Sequence, residues 1–235
     1  MQQRFLGDEG QTYVVETWDG DNRSRESNMR VMGEATPIVF VVDDDHSVRN
    51  ALALLIESAG WQPEMFGSAQ EFLLRPRTSG PSCMLLDVYL PDLHGCDLQH
   101  ELADRAEMPI IMMSGHADVP ITARAMKAGA IDFFTKPLAI NDLLSAIRVA
   151  VDRSREALRS AQLMRGLLEN YASLSPRQRE VMALVVGGRL NKQAGGELGI
   201  SEITVKAHRG KVMRKMNADS LPDLVRMADR LSGHR

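Results

Sequence analysis

Ile38-Val39-Phe40-Val41-Val42-Asp43-Asp44 is an apolar run of five residues that stops on two acids. Three more short apolar runs lead into a reactive group in the same way: residues 83–86 before Asp87, residues 110–113 before Ser114, and residues 131–134 just ahead of Lys136. Stretches with helical spacing lie between them, at 47–59, 69–75, 97–106, 119–128 and 141–155, so from residue 37 to about 155 the order is strand then helix, five times over. Unbroken apolar strands alternating with helices specify a doubly wound α/β fold around a five-stranded parallel sheet, buried on both faces. In such a sheet the groups that follow the strands gather at one edge, where this fold class places its chemistry.

Three acids held together repel one another unless a divalent cation sits among them, and clustered oxygens with room for water suit Mg²⁺. A lysine at the same rim supplies a point charge for an anion, most simply a phosphoryl group. Taken singly, each group has a plainer use. Residues 43–45 would serve as a helix N-cap cluster, Asp87 with the following proline and glycine as a turn, and Lys136-Pro137 as a solvated loop, its peptide bond cis or trans. Independent turns have no reason to put all five groups at strand ends on one side. His46, His94 and His116 flank the site and are expected in loops, since Mg²⁺ prefers oxygen.

The chain has 235 residues, room for two domains, and its net charge of −3 is unevenly spread. From Ser173 onward twelve Lys and Arg face six Asp and Glu, a net +6 that leaves −9 for the remainder. An acidic front half joined to a basic tail half fits a metal-binding or regulatory unit coupled to a nucleic-acid-binding unit. Residues 1–36 carry scattered polar residues without a sustained period and are expected to be a disordered extension, with only 13–15 able to pair as a strand. Residues 156–172 are helical in composition, either prolonging the last helix or forming a flexible connector. Two cysteines are too few for a disulfide framework, and Cys83 is expected in the core. Without a secretory signal or an apolar stretch long enough for a bilayer, the expected location is the cytoplasm.

The basic half, residues 173–235, opens with Ser175 as a helix cap and Pro176 at the first helical position. Residues 191–201 and 202–209 then read as helix, tight turn, helix. Gly199 takes the left-handed turn, Gly195 lets the helices cross closely, Val205 fills the crossing and Ser201 caps the second helix. Glycines at 195 and 196 weaken the first of these helices by about 1 kcal/mol each relative to alanine. Leu221, Leu224, Val225 and Ala228 give the last helix an apolar stripe.

In their order and spacing, Val42-Asp43-Asp44, Leu86-Asp87 with Leu90-Pro91 and Gly95, Ser114-Gly115-His116, residues 125–130 and Phe133-Phe134-Thr135-Lys136-Pro137 resemble the receiver domain of bacterial two-component response regulators. The resemblance covers residues 37–155 and implies a flavodoxin-like fold. It makes Asp87 the phosphoacceptor, Asp44 a direct Mg²⁺ ligand, Asp43 a ligand acting mainly through water, and the Tyr89 backbone carbonyl a further ligand. Ser114 then bonds the phosphoryl oxygen, Lys136 pairs with it, and Phe133 is the aromatic that turns inward on activation. The second half looks like the LuxR/NarL-type helix-turn-helix domain, so the whole resembles the FixJ-like subgroup of regulators. Lys206, Ala207 and Gly210 fall in the base-facing slots, while Lys192, Thr204, Arg209, Lys211 and Arg214 complete the DNA-binding set, mostly by holding phosphates. The implied partners are a sensor histidine kinase, promoter DNA, a second copy of the chain when phosphorylated, and RNA polymerase, with no membrane. Tyr89 stands where a phosphoester hydrolase of this chemistry would carry a second aspartate, so an enzyme is not expected. The alternative is a regulator that binds DNA or protein without phosphorylation and keeps the pocket as a vestige.

Overall fold

The computed structural model describes residues 35–116 and 119–233, together with the backbone of two strands nearer the N-terminus. Those two, β1 (Gln3–Leu6) and β2 (Thr12–Val15), pair antiparallel with Gln3 opposite Val15. The strand expected at 13–15 is there with a partner, and the rest of the expected disordered extension lies outside the described residues.

From residue 36 onward the elements follow in the order β3 (Ile38–Val42), α1 (His46–Ser58), β4 (Gln62–Phe66), α2 (Ala69–Leu73), β5 (Ser82–Asp87), α3 (Gly95–Glu101), β6 (Ile110–Ser114), α4 (Val119–Lys127) and β7 (Asp132–Thr135). Then come α5 (Ile140–Ala172), α6 (Pro176–Val186), α7 (Asn191–Leu198), α8 (Glu202–Met216) and α9 (Leu221–Ser232). The sheet is wholly parallel in the order β4-β3-β5-β6-β7. Every residue of β5 and β6 is buried, as the unbroken apolar runs require. The edge strands are more exposed, and β4 also carries Pro63, which has no N–H to give a second neighbour.

Alternate strand residues feed two cores. Phe40, Val42, Met84, Leu86 and Met112 pack with Phe72, Leu98 and Ala125 on the side of α2, α3 and α4. Val39, Val41, Cys83, Leu85, Ile111 and Met113 pack with Leu52 and Ile56 of α1 and Leu143, Ile147 and Val151 of α5. Cys83 is a core residue, and burial pushes its thiol up to about 12.

Residues 156–172 continue the last helix of the sheet domain, making α5 a single helix of 33 residues. Ser154, fully buried, fixes where it leaves the sheet: its Oγ accepts from the Ser82 N–H at 2.9 Å and donates to the Glu107 carbonyl at 2.5 Å. Farther on, Leu167 and Tyr171 pack on the core built by Leu174, Met182, Val212, Met216 and Leu224. No helix among the described residues is long and apolar enough to cross a membrane.

The four C-terminal helices are set by local chemistry that the sequence announces. Ser175 and Gln178 form a reciprocal cap at the start of α6, with Pro176 at its first position. Gly199 adopts φ +66° between α7 and α8, and Ser201 Oγ accepts the Thr204 N–H at 3.2 Å. Val205 is fully buried with Val181, Val185 and Ala194. The two glycines of α7 are not equivalent. A Cβ on Gly195 would stand 2.8 Å from the Ile200 carbonyl oxygen, whereas one on Gly196 meets nothing within 4 Å. Gly195→Ala therefore forces α7 away from the turn and is expected to cost about 1–3 kcal/mol in denaturant unfolding of the full chain. Gly196→Ala removes only helix-breaking freedom and is expected to add about 0.5–1 kcal/mol. Equal effects from the two substitutions would show that the close crossing does not constrain this turn.

Candidate functional site

Strand order reverses between β3 and β5, and a switch point of this kind opens a crevice at the carboxyl ends of those strands. Asp43 follows β3 directly and is fully buried, while Asp87 is the last residue of β5 and nearly so. Lys136, just after β7, reaches back across the edge and donates from Nζ to Asp43 Oδ2 at 2.7 Å and to Asp87 Oδ2 at 2.5 Å. The Lys136–Pro137 peptide is cis. One ammonium thus joins the ends of three strands. Asp43, Asp44 and Asp87 bring carboxylate oxygens within 4.8 Å of one another, with Asp44 exposed to solvent.

Each acid is held by the backbone around it. Asp43 Oδ1 accepts the Asp45 N–H at 3.0 Å, and Arg49 Nη1 donates to the Asp43 carbonyl at 2.6 Å. Asp87 Oδ1 accepts the Tyr89 N–H at 3.1 Å. Asp45, and not Asp43 or Asp44, is the N-cap of α1, accepting from Ser47 and Val48. The plainer reading of the acidic triplet is correct for one of its three members. The loop after Asp87 closes through Gly95, whose N–H donates to the Val88 carbonyl at 2.8 Å. A Cβ there would lie 2.2 Å from the Asp87 carbonyl oxygen, so this position excludes a side chain if α3 is to start so near the acid. Arg49 carries no local signal in the sequence, and Gly95 is legible there only as part of a motif.

Ser114, the last residue of β6, is fully buried and its Oγ is closed on its own turn, donating to the His116 carbonyl at 2.9 Å and accepting the His116 N–H at 3.2 Å. Phe133 is half-buried at the margin of the core under α3 and α4. Two of the histidines expected in loops belong instead to helix starts. His46 opens α1 with its ring nitrogens 3.4 Å from Arg49 Nη2 and 3.1 Å from Asn50 Nδ2, and His94 caps α3 through Nδ1, which accepts the Cys96 N–H at 3.3 Å. Tyr89, about half exposed, meets the His94 ring edge-on at 5.6 Å.

In the basic half, Lys206, Ala207, Gly210, Lys211 and Arg214 share the outward face of α8, opposite the buried Val205, Val212 and Met216. Lys192 is exposed near the start of α7. Thr204 and Arg209 are turned partly inward: the Thr204 hydroxyl lies 2.8 Å from Ser201 Oγ, and Arg209 Nη1 lies 3.4 Å from Asn191 Oδ1.

Comparison with known proteins agrees with both halves. Residues 39–148 match the response regulator receiver domain, and residues 172–228 match the luxR family of bacterial regulatory proteins. The chain is 44% identical over 207 residues to the response regulator protein TodT of Pseudomonas putida, covering 88% of this chain and 91% of TodT. It is 42% identical over 198 residues to the transcriptional regulatory protein FixJ of Azorhizobium caulinodans, covering 84% and 93% respectively. The solved structure of the response regulator StyR superposes with a TM-score of 0.75 at 41% identity, over 83% of this chain and all of StyR. The chain is a response regulator of the FixJ-like family. It joins a receiver domain to a LuxR-type DNA-binding domain.

The electrostatics of this response regulator's acidic edge are unbalanced, with three carboxylates around one ammonium. Burial pushes the Asp43 carboxyl above the usual carboxylate range, against the opposing pull of Lys136 and the Asp45 N–H. Burial would lower the Lys136 ammonium, but its bonds to Asp43 and Asp87 outweigh that and hold it above the ordinary lysine range. An all-oxygen donor set with excess negative charge fits a hard divalent cation. Without one, the raised Asp43 means that the folded state binds its proton more tightly than the unfolded chain does. Stability is then lost as pH rises through the window between the ordinary and the raised value. Asp43→Asn keeps an acceptor for the Asp45 N–H but removes the charge. In chelator, its thermal midpoint at pH 7 is expected to exceed that of the wild type, and the gap to shrink as pH falls through the carboxylate range. A gap that stays constant with pH would show that the buried charge is not the destabilising element.

Proposed function

We propose that Asp87 accepts a phosphoryl group from a sensor histidine kinase in the cytoplasm, and that this drives two copies of the chain together on promoter DNA. The observation that carries the reading is the Lys136 ammonium bonded at once to Asp43 and Asp87, two buried acids at the switch point of the sheet. A carboxylate attacking phosphorus in line needs its own charge and that of the transferred oxygens held in place, and little proton chemistry.

The roles divide by what each atom already does. Asp87 Oδ1 is aimed by the Tyr89 N–H, so Oδ2 is the attacking oxygen once Lys136 shifts its bond to the incoming phosphoryl group. The phosphorus–nitrogen bond to the kinase histidine breaks, its electron pair leaving with the imidazole nitrogen, as the acyl phosphate on Asp87 forms. Both Asp43 oxygens are engaged, by Lys136 and by the Asp45 N–H, which suits a ligand acting through water, while exposed Asp44 is free to bind directly with Asp87 and the Tyr89 carbonyl. Mg²⁺ bound by these groups would neutralise charge on the transferred oxygens. Ser114 exchanges its bonds to His116 for one to the phosphoryl group, and Phe133, half-buried on the adjoining strand β7, is the aromatic that turns inward. In the output half, Lys206, Ala207 and Gly210 face base edges, and Lys192, Thr204, Arg209, Lys211 and Arg214 hold the flanking backbone.

The test measures dimer fraction by sedimentation and affinity for a selected DNA pool, with and without Mg²⁺ and phosphoramidate, on wild type and Asp87→Ala. The expected outcome is that donor plus Mg²⁺ dimerises the wild type and tightens its DNA binding tenfold or more, with no response from Asp87→Ala. Equal binding by both proteins under all conditions would establish phosphorylation-independent regulation in its place.

A further inference from the structure

The first turn of α8 ends in a side chain that its fold does not use. Of the groups there, the Ser201 and Thr204 hydroxyls are bonded to each other at 2.8 Å, and Glu202 Oε1 holds Lys206 Nζ at 3.2 Å. Ile203 projects outward from this turn, 80% exposed, and is its one exposed apolar side chain. A single exposed isoleucine is ordinary on a protein surface. This one stands at the head of a stripe, at i relative to Lys206 (i+3), Ala207 (i+4), Gly210 (i+7), Lys211 (i+8) and Arg214 (i+11), all exposed and all opposite the buried face of the helix. The stripe changes character along its length. Its C-terminal members are cationic, suited to phosphates, whereas Ile203, Ala207 and Gly210 offer no hydrogen-bonding side chain at all.

We propose that Ile203 is a sequence-reading residue, its side chain packing on the C5-methyl group of thymine in the major groove. The proposal rests on the reading that α8 enters that groove. The N-terminal residues of such a helix meet base edges first, and the thymine methyl is the one apolar feature of the major-groove code. A branched aliphatic side chain with nothing to donate or accept can select only that feature. The small Ala207 and the bare Gly210 one and two turns later let the helix lie close enough for a four-carbon side chain to reach the base edge. Lys206, one turn from Ile203 on the same face, is placed for a neighbouring guanine. Each half-site should then carry thymine next to the base pair read by Lys206. Ile203 gains nothing for the helix itself, since a β-branched residue on an exposed helical surface is a poorer helix former than alanine.

Deoxyuridine supplies the test, because it differs from thymidine only by the missing methyl. The full chain, with Mg²⁺ and phosphoramidate, is used to select binding sites from a random duplex pool. Affinities are then measured on the selected DNA with thymine replaced by uracil one position at a time, for wild type, Ile203→Ala, Ile203→Val and Lys206→Ala. The expected result is about fourfold weaker wild-type binding per methyl removed at one or two positions in each half-site. Ile203→Ala should show the same loss on thymine DNA and no further loss with uracil at those positions, and Ile203→Val should recover part of the thymine preference. The thermal midpoint of Ile203→Ala should equal or slightly exceed that of the wild type, separating lost recognition from lost fold. If Ile203→Ala keeps the full uracil penalty everywhere, or weakens all sequences equally, Ile203 does not read thymine. If Lys206→Ala alters the selected sequence under those conditions, α8 still occupies the groove and only the role of Ile203 falls. If neither substitution changes which sequences are bound, the groove reading fails and this proposal falls with it.

Discussion

A lysine ammonium bonded to two buried carboxylates is the constraint around which the receiver half is built. Asp43, Asp87 and Lys136 belong to three different strand ends, and 93 residues separate the first from the last. Bringing two like charges into a site from which water is largely excluded is costly, and the single cation there offsets only part of that cost. N–H groups from Asp45 and Tyr89 offset a further part, and the Arg49 side chain holds the Asp43 carbonyl. A pocket finished this way remains short of positive charge. That shortage is what suits the cluster of Asp43, Asp44 and Asp87 to a hard divalent cation.

The long helix α5 joins the receiver half to the output half. It begins at Ile140, four residues after Lys136, and runs about 50 Å to Ala172. Its first half is sealed against the sheet by Leu143, Ile147 and Val151, and Ser154 ties it to two backbone groups at the far end of the same sheet. Its last turns belong to the output half, where Leu167 and Tyr171 enter the helical core and Lys215 reaches the Ser173 carbonyl at 2.6 Å. One unbroken helix therefore shares side chains with both cores. Residues 156–166, between the two anchored ends, are mostly exposed and hold their helical form through backbone hydrogen bonds.

What the sequence discloses follows from how local each signal is. Parallel strands buried on both faces must be apolar throughout, so β3, β5 and β6 are legible as runs, and the chemistry at their ends is legible with them. Caps and turns are equally local, and Ser175, Ser201, Gly199 and the close crossing at Gly195 all read correctly. Helix ends that depend on tertiary contacts read less well. α3 starts two residues earlier than its spacing suggests because His94 caps it and Gly95 lets it abut the Asp87 carbonyl, and it stops at Glu101 well short of the expected end. The fate of residues 156–172 hangs on whether both ends of the helix are anchored, which no window of sequence reports. Arg49 is invisible for the same reason: its task is set by a carbonyl six residues back whose direction only the folded loop defines. On α8 the reverse holds. Ile203 looks like any helical apolar residue until the fold shows that its face is the one left bare.

Ser114 shows how a switch can rest without strain. Its hydroxyl, although fully buried, is satisfied twice over by the His116 backbone, so the resting pocket carries no unpaired polar group at that point. Under the proposed phosphorylation of Asp87, a phosphoryl oxygen would compete with that closed turn, and exchanging two neutral partners for one charged acceptor would come within about 3 kcal/mol of balance. Lys136 faces a similar exchange, since its bond to Asp87 can be redirected only if Asp43 keeps its other hand. On that reading both groups would trade one set of partners for another of comparable energy, which would give the site the two arrangements that a regulator switched by a small charge change requires.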